Sequence, residues 1–276
     1  LPGALFTANS FLPTRSGLIS LSMNLRVSLV NSRYATDDMA SNIDIIFEND
    51  ELLVINKPSG LIVHSDGRTA EPSVVDWILN VGEPWTSPQG EVIPRPGIVH
   101  RLDRTTSGIL LIAKTQETYL YLKAQFKERN IQKKYLAYVY GHPKKDSDVI
   151  VAEIGRTRSD PPRWSAEFKA KGTLRDAVTE WKIIKRGVDR DTNEKVSLLE
   201  VSPKTGRTHQ IRVHLKAIGN PIVSDTLYAP NRPKLLGFSR PALHAHALTV
   251  TLPRGEQKTF ETAFPPDFEN AQKLFD

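Results

Sequence analysis

The 276-residue chain contains no cysteine. That excludes a disulfide framework, a thiolate metal site and a cysteine nucleophile, and it fits an intracellular protein. Long apolar runs are missing too. None approaches the roughly 20 residues that a membrane-crossing helix needs. Acidic residues are absent from positions 1–36, which instead hold Arg15, Arg26 and Arg33 among several Ser and Thr. Such a stretch reads as an organelle transit segment, a short disordered leader, or sequence upstream of a start at Met23. From 43 onward the texture is that of folded protein, with no low-complexity linker and no internal repeat. The expected organisation is therefore a leader over 1–42 and one domain over 43–276.

What is present is an ordinary globular composition, 39% hydrophobic and 25% charged, long enough to bury a substantial core. Lys and Arg outnumber Asp and Glu by 37 to 31, a net charge of +6. An excess of that sign favours polyanions such as nucleic acid as partners.

Periodicity and breakers give the elements. Residues 51–55 read as a strand, stopped by Asn56-Lys57-Pro58-Ser59-Gly60. Ser73-Val74-Val75-Asp76 resembles a capping box that opens a helix through Leu79. Residues 109–113 predict a buried strand. Residues 115–129 predict a helix burying Leu122 and Phe126, with Lys123, Lys127 and Arg129 outside. Further strands are expected over 135–140, 177–184, 196–201 and 247–252, with Gly187-Val188-Asp189 in a turn region. Thr208 is the expected N-cap of a helix carrying Ile211, Leu215 and Ile218, stopped by Gly219-Asn220-Pro221. The resulting fold class is α+β: a mixed, largely antiparallel sheet with flanking helices and a central cleft.

Three segments concentrate polar, basic and glycine residues beyond what folding requires. Residues 99–108 read Val-His-Arg-Leu-Asp-Arg-Thr-Thr-Ser-Gly, with Asp103 between Arg101 and Arg104. A carboxylate held between guanidiniums stays ionised and can act as nucleophile, base or ion-pair partner. Residues 133–141 place Lys133 and Lys134 at the entry of a strand bearing Tyr135, Tyr138 and Tyr140. Residues 204–215 bring Lys204, Arg207, His209, Arg212 and His214 to a turn and helix, with Lys216 one residue beyond. The Gly206-Arg207 turn suits a phosphate at the helix start. Each residue alone has a structural explanation: Asp103 a turn cap or surface ion pair, Tyr135 core, Arg212 a solvated charge, His209 and His214 structural histidines.

Together, His-Arg-Leu-Asp-x-x-Thr-Ser-Gly (100–108), Lys-x-Tyr-x-Ala-x-Val-x-Gly (133–141) and Thr-Gly-Arg-Thr-His-Gln-Ile-Arg-Val-His (205–214) resemble the RluA family of pseudouridine synthases. Lesser pieces agree: 56–64, Asn220-Pro221-Ile222, Asp225-Thr226-Leu227-Tyr228 and 241–245. The resemblance covers about 43–265 in order, so 43–276 is read as a catalytic domain. It implies the pseudouridine synthase fold and a cofactor-free, metal-free RNA enzyme. Such an enzyme isomerises specific uridines of structured RNA, ribosomal RNA by weak analogy or transfer RNA. It breaks the N1–C1′ bond and forms C5–C1′. By that resemblance Asp103 is the catalytic aspartate, Tyr135 packs on the base and helps remove the C5 proton, and Arg212 pairs with Asp103. Arg101 stands where the family places an arginine near the displaced nucleotide. A flipped base needs a closed pocket and an aromatic platform.

The family's S4 RNA-binding module does not fit into 1–42, so RNA binding is expected to rest on the catalytic domain. The residues named for it are Lys57, Arg101, Arg104, Lys133, Lys134, Lys204, Arg207, His209 and Lys216. Ser224 stands where the family usually has Gly, and is expected there with a negative φ. Loops 66–72 and 85–96 are expected to select the substrate site. The protein is read as a cytoplasmic monomer, with an organelle as the alternative. Two other readings are open to the sequence: a metal-dependent hydrolase using His100, Asp103, His209, His214, His244 and His246, and a catalytically silent RNA-binding module.

Overall fold

The computed structural model describes residues 43–65, 71–81, 93, 95–157, 163–166 and 171–276. The expected leader, 1–42, and most of the loops 66–72 and 85–96 lie outside them. Strands β1 (Asp44–Glu48) and β2 (Leu52–Lys57) pair antiparallel around Asn49, whose Oδ1 accepts the N–H groups of Glu51 and Leu52. Helix α1 (Val74–Val81) opens on the expected capping box. Ser73 donates its N–H and hydroxyl to Asp76 Oδ2, and the Asp76 N–H donates back to Ser73 Oγ.

The apolar run becomes β3 (Ser107–Ala113), buried at every residue. Helix α2 (Gln116–Glu128) follows with Thr115 as N-cap, its hydroxyl accepting the Thr118 N–H. It buries Leu122 and stacks Phe126 on His100, with ring centres 4.6 Å apart. Arg129 ends it in the left-handed conformation, φ 65°. In β4 (Gln132–Tyr140), the two-residue period of a strand separates the three tyrosines. Tyr138 packs among Phe238, Phe268 and Phe275, and Tyr140 donates to the Pro233 carbonyl. Tyr135 and Lys133 share the other face and turn toward the cleft.

Beyond β5 (Ser147–Val151), a small sheet is made of β6 (Ile154–Arg156), β7 (Trp164–Ser165) and β8 (Lys171–Arg175). Strands β9 (Val178–Val188) and β10 (Lys195–Pro203) extend the expected ones. Gly187 and Val188, expected in a turn, lie inside β9. A Cβ at Gly187 would collide with the Asp276 carbonyl. The glycine therefore makes room for the C-terminus, and Val188 exchanges backbone hydrogen bonds with Asp276. Helix α3 (Gln210–Ala217) starts two residues after the expected Thr208 cap. His209 occupies its N-cap with φ 55° and makes no side-chain cap bond. Residues 210–215 are all buried, so Arg212 and His214 sit inside the protein; Ile218, expected on the apolar face, is exposed.

Strands β11 (Leu243–Thr251) and β12 (Gln257–Glu261) and helix α4 (Pro266–Leu274) complete the domain. The main sheet runs β1-β2-β3-β11-β4-β10-β9-β5, with β12 pairing the second half of β11. Among the described strands only β3 and β11 pair in parallel, which gives the expected mixed, largely antiparallel sheet. Their crossing depends on Gly108. Its φ is 118°, and a Cβ there would run into the Ala245 carbonyl. Ile43–Asp276 form one compact unit. One apolar cluster surrounds β4, β10, α3 and α4; a second lies between β2, β3, α2 and β12.

Candidate active site

A cleft of about 470 Å³ opens between the loop before β3, the end of α2, the first half of β4 and the segment leading into α3. Asp103 stands on a tight turn, closed by the Thr106 N–H donating to its carbonyl at 3.1 Å. The turn is anchored from beneath. Lys57 Nζ and the Gly60 N–H donate to the Arg104 carbonyl. Ser59 Oγ and Arg240 Nη1 donate to the Thr105 carbonyl. Arg240 also reaches Ser107 Oγ and pairs through two nitrogens with Asp267 of α4. The Asp103 carboxylate, 21% exposed, has Arg212 Nη1 at 3.7 Å and His209 Nε2 at 4.0 Å from its Oδ2.

Arg212 is where the sequence names Asp103's partner, but the structure gives it a nearer one. Asp225, fully buried, accepts from Nε at 2.7 Å and Nη2 at 2.9 Å. Its Oδ1 also accepts the N–H groups of Leu227 and Tyr228. The Tyr228 ring lies 5.0 Å from the guanidinium. Arg212 is thus gripped from behind by a bidentate, charge-assisted pair, and Nη1 alone is left to face Asp103. Ser224, just before this turn, adopts φ 58°, not the expected negative value. Its hydroxyl donates to the Phe238 carbonyl and its N–H to the Tyr140 hydroxyl, two bonds that offset a left-handed serine.

Tyr135 lines the same cleft. Burial, reinforced by the Asp103 carboxylate, raises its phenol above the ordinary value, so the hydroxyl keeps its proton at neutral pH. The segment after β10 is fixed by Gln210. Its Oε1 accepts from Thr205 Oγ1 and the Arg207 N–H, and its Nε2 donates to the Val178 carbonyl and Thr179.

Of the nine residues named for RNA, five line the cleft: Arg101, Lys133, Lys204, Arg207 and His209. Lys133 donates to the Thr205 carbonyl; burial, with Arg129 and Lys204 nearby, lowers its ammonium to about 8. The other four do not. Lys57 is fully buried and donates to the carbonyls of Pro58, Leu61 and Arg104, so no phosphate reaches it in this structure. Burial, then Arg240, pulls it down to about 7 against the opposing pull of Asp103. Arg104 pairs with Glu71 at 2.6 Å and donates to the Gly60 carbonyl. Lys134 points to the opposite face of β4 from Lys133 and lies 3.8 Å from Glu200. Lys216 is exposed at the last turn of α3, away from the cleft.

The sequence named no role for Asp225, Tyr228 or Arg129, the last a cleft-lining cation. Three of the candidate metal-ligating histidines are tied into separate hydrogen bonds. His100 Nε2 accepts the Leu111 N–H, His214 bridges Thr179 and the Ala152 carbonyl, and His244 Nδ1 meets the Ser107 hydroxyl. Among the described residues no three or more His, Asp or Glu come together as a metal site.

Residues 51–217 match the family model for RNA pseudouridylate synthase. The chain is 37% identical over 236 residues to an uncharacterised RNA pseudouridine synthase of Synechocystis, covering 84% of this chain and 69% of that one. It is 35% identical over 239 residues to ribosomal large subunit pseudouridine synthase D of Zymomonas mobilis, covering 84% and 72%. The fold is similar to that of human RNA pseudouridylate synthase domain containing 1, with a TM-score of 0.66 at 24% identity, covering 87% of this chain and 91% of the other. The chain belongs to the RNA pseudouridylate synthase family and is of its RluA type.

Proposed function

We propose that this protein isomerises specific uridines to pseudouridine within structured RNA, with ribosomal RNA favoured over transfer RNA. The observation that carries the reading is the convergence of Asp103, Tyr135 and Arg212 on one cleft bordered by cations. Several relatives carry the name ribosomal large subunit pseudouridine synthase, which supports the choice of RNA.

In this reading the target uridine leaves its stack and enters the cleft, and Tyr135 supports the uracil face. Asp103 acts at the sugar, by attack on C1′ or by removing a sugar proton, as the N1–C1′ bond breaks. The uracil turns and C5 bonds to C1′ as the Asp103–C1′ bond breaks or the sugar proton returns; the C5 proton leaves by way of the Tyr135 hydroxyl, which passes its own proton on, and N1 takes up a proton. Arg212 balances the charge of Asp103. One glycosidic bond replaces another, so the net reaction calls for no electron donor. Asp103, Tyr135 and Arg212 come from one chain, which supports a monomer as the working unit. The cysteine-free composition supports work in the cytoplasm.

The test is a pseudouridine map of RNA from cells with and without this protein, joined to the purified protein acting on uridine-labelled RNA. One or a few ribosomal uridines lose modification, and the purified protein restores them, with or without a strong chelator. Identical maps together with an inactive purified protein overturn the reading.

A further inference from the structure

His209 is strained, and it does not perform the task its position suggests. It is a non-glycine residue at the N-cap of α3, with φ 55° and ψ 19°. The left-handed region costs a side-chain-bearing residue on the order of 1 kcal/mol. An N-cap residue is normally extended and accepts a first-turn amide with its side chain; His209 is left-handed and makes no such bond. Gln210 folds back onto the segment before the helix, accepting the Arg207 N–H. The imidazole is free for another use, and it points across the cleft wall at Asp103.

Its two nitrogens meet different neighbours. Nδ1 lies 2.8 Å from the Tyr228 hydroxyl, and Nε2 lies 4.0 Å from Asp103 Oδ2. The Tyr228 oxygen also receives the Trp164 N–H at 3.4 Å. Among the described residues, those two groups are the hydrogen-bond partners of that hydroxyl. Among the described residues the phenol proton then has one acceptor, Nδ1. A neutral imidazole that accepts at Nδ1 carries its own proton on Nε2.

We propose that Tyr228 fixes the tautomer of His209 so that its Nε2–H is held toward the Asp103 carboxylate, which makes His209 a positioning residue for the reaction. The inference rests on the reading of Asp103 given above. Asp103 and Arg101 face the ring from the loop, Arg212 from the helix, and Asp225 and Tyr228 from the turn. Burial is the largest influence on His209 and holds it below its ordinary value, so it is neutral at pH 7. Burial likewise raises Tyr228 to about 12, so the phenol is a donor. The turn at 225–228 thus controls both groups behind Asp103: Asp225 grips Arg212, and Tyr228 sets His209.

Two side chains separate this role from a structural one. The amide nitrogen of Gln occupies the place of Nε2, and that of Asn the place of Nδ1. His209→Gln therefore keeps kcat within about threefold of the wild type, whereas His209→Asn and His209→Ala lose about tenfold or more, with KM little changed. Nitrogen NMR of the full-length wild-type protein at pH 7 shows the proton on Nε2, and Tyr228→Phe alters that signature. A spectrum with the proton on Nδ1, or wild-type turnover by His209→Asn and His209→Ala, overturns the proposal. The spectrum is read without substrate, so a wild-type protein that forms no pseudouridine counts against the proposed function and leaves the tautomer result standing.

Discussion

The turn that carries Asp103 and the turn that carries Asp225 flank the same arginine and treat their carboxylates in opposite ways. Asp225 is fully buried and spends its oxygens on two guanidinium nitrogens and two backbone amides. Asp103 is 21% exposed and has its nearest guanidinium nitrogen at 3.7 Å. One carboxylate is satisfied and holds; the other is left under-satisfied in a cleft and can act. A buried carboxylate with every acceptor used stabilises geometry, and a reactive one must keep an oxygen for its substrate.

The sharpest way to break this contrast is to remove each carboxylate in turn. Asp225→Ala strands Arg212 inside the protein and is expected to cost about 3–5 kcal/mol in thermal or denaturant unfolding. Asp103→Asn, partly exposed and only loosely paired, is expected to stay within about 1 kcal/mol of the wild type. Equal losses from the two would remove the distinction.

The cleft face of β4 sharpens it next. Tyr135→Phe keeps the aromatic surface and loses the hydroxyl, so kcat falls about 100-fold while RNA affinity changes less than about twofold. Wild-type turnover by that variant would deny the hydroxyl a role.

The anchor beneath the Asp103 turn is tested by acid. His244 is fully buried against Ser107, and burial, with His246 and Arg240, pulls it down to about 3. Below about 6.5 the unfolded chain takes up a proton that the folded protein refuses. The share of stability that rests on this one group therefore falls as pH drops from 6.5 toward 3, by up to about 1.4 kcal/mol per unit, and His100, likewise held at about 3 by burial, adds a share of its own. His244→Asn is expected to make this acid limb shallower by that one share in melts recorded between about pH 7 and pH 5. An acid limb as steep in His244→Asn as in the wild type contradicts the assignment.

The smallest expected effect compares the two faces of one wall. Arg207→Gln, at the cleft, is expected to lower the salt slope of RNA binding by about 0.7–0.9, one phosphate's share. Lys134→Gln, on the far face of β4, is expected to leave it unchanged. A slope lost in both variants would extend the RNA surface beyond the cleft.

Much of this was legible in the sequence. The apolar run at 109–113, the capping box at Ser73 and Asp76, and the helix capped by Thr115 are local signals, and they place Asp103 before a buried strand. The three motif segments name the cleft-lining Asp103, Tyr135 and Arg212 directly. Asp225 stood in a lesser motif piece, 225–228, with nothing local to tie it to Arg212. Its partner is 13 residues away across a turn, and its burial follows from packing that no local pattern encodes. Charge alone could not sort the basic set, because it cannot see that Lys57 is buried. Strand parity could have separated Lys133, which shares a face with Tyr135, from Lys134. Gly187 misled because a glycine that admits another backbone looks like one that makes a turn. Short strands such as β5 and β12 bury one residue each and stand out only through their pairing.

The central claim is that the under-satisfied carboxylate is the one that reacts. Forming the C5–C1′ bond releases the C5 hydrogen, so tritium released from RNA labelled at uridine C5 counts turnovers. The account predicts steady release by the wild type and none above background by Asp103→Asn, with RNA binding retained. Release by Asp103→Asn at the wild-type rate would contradict it.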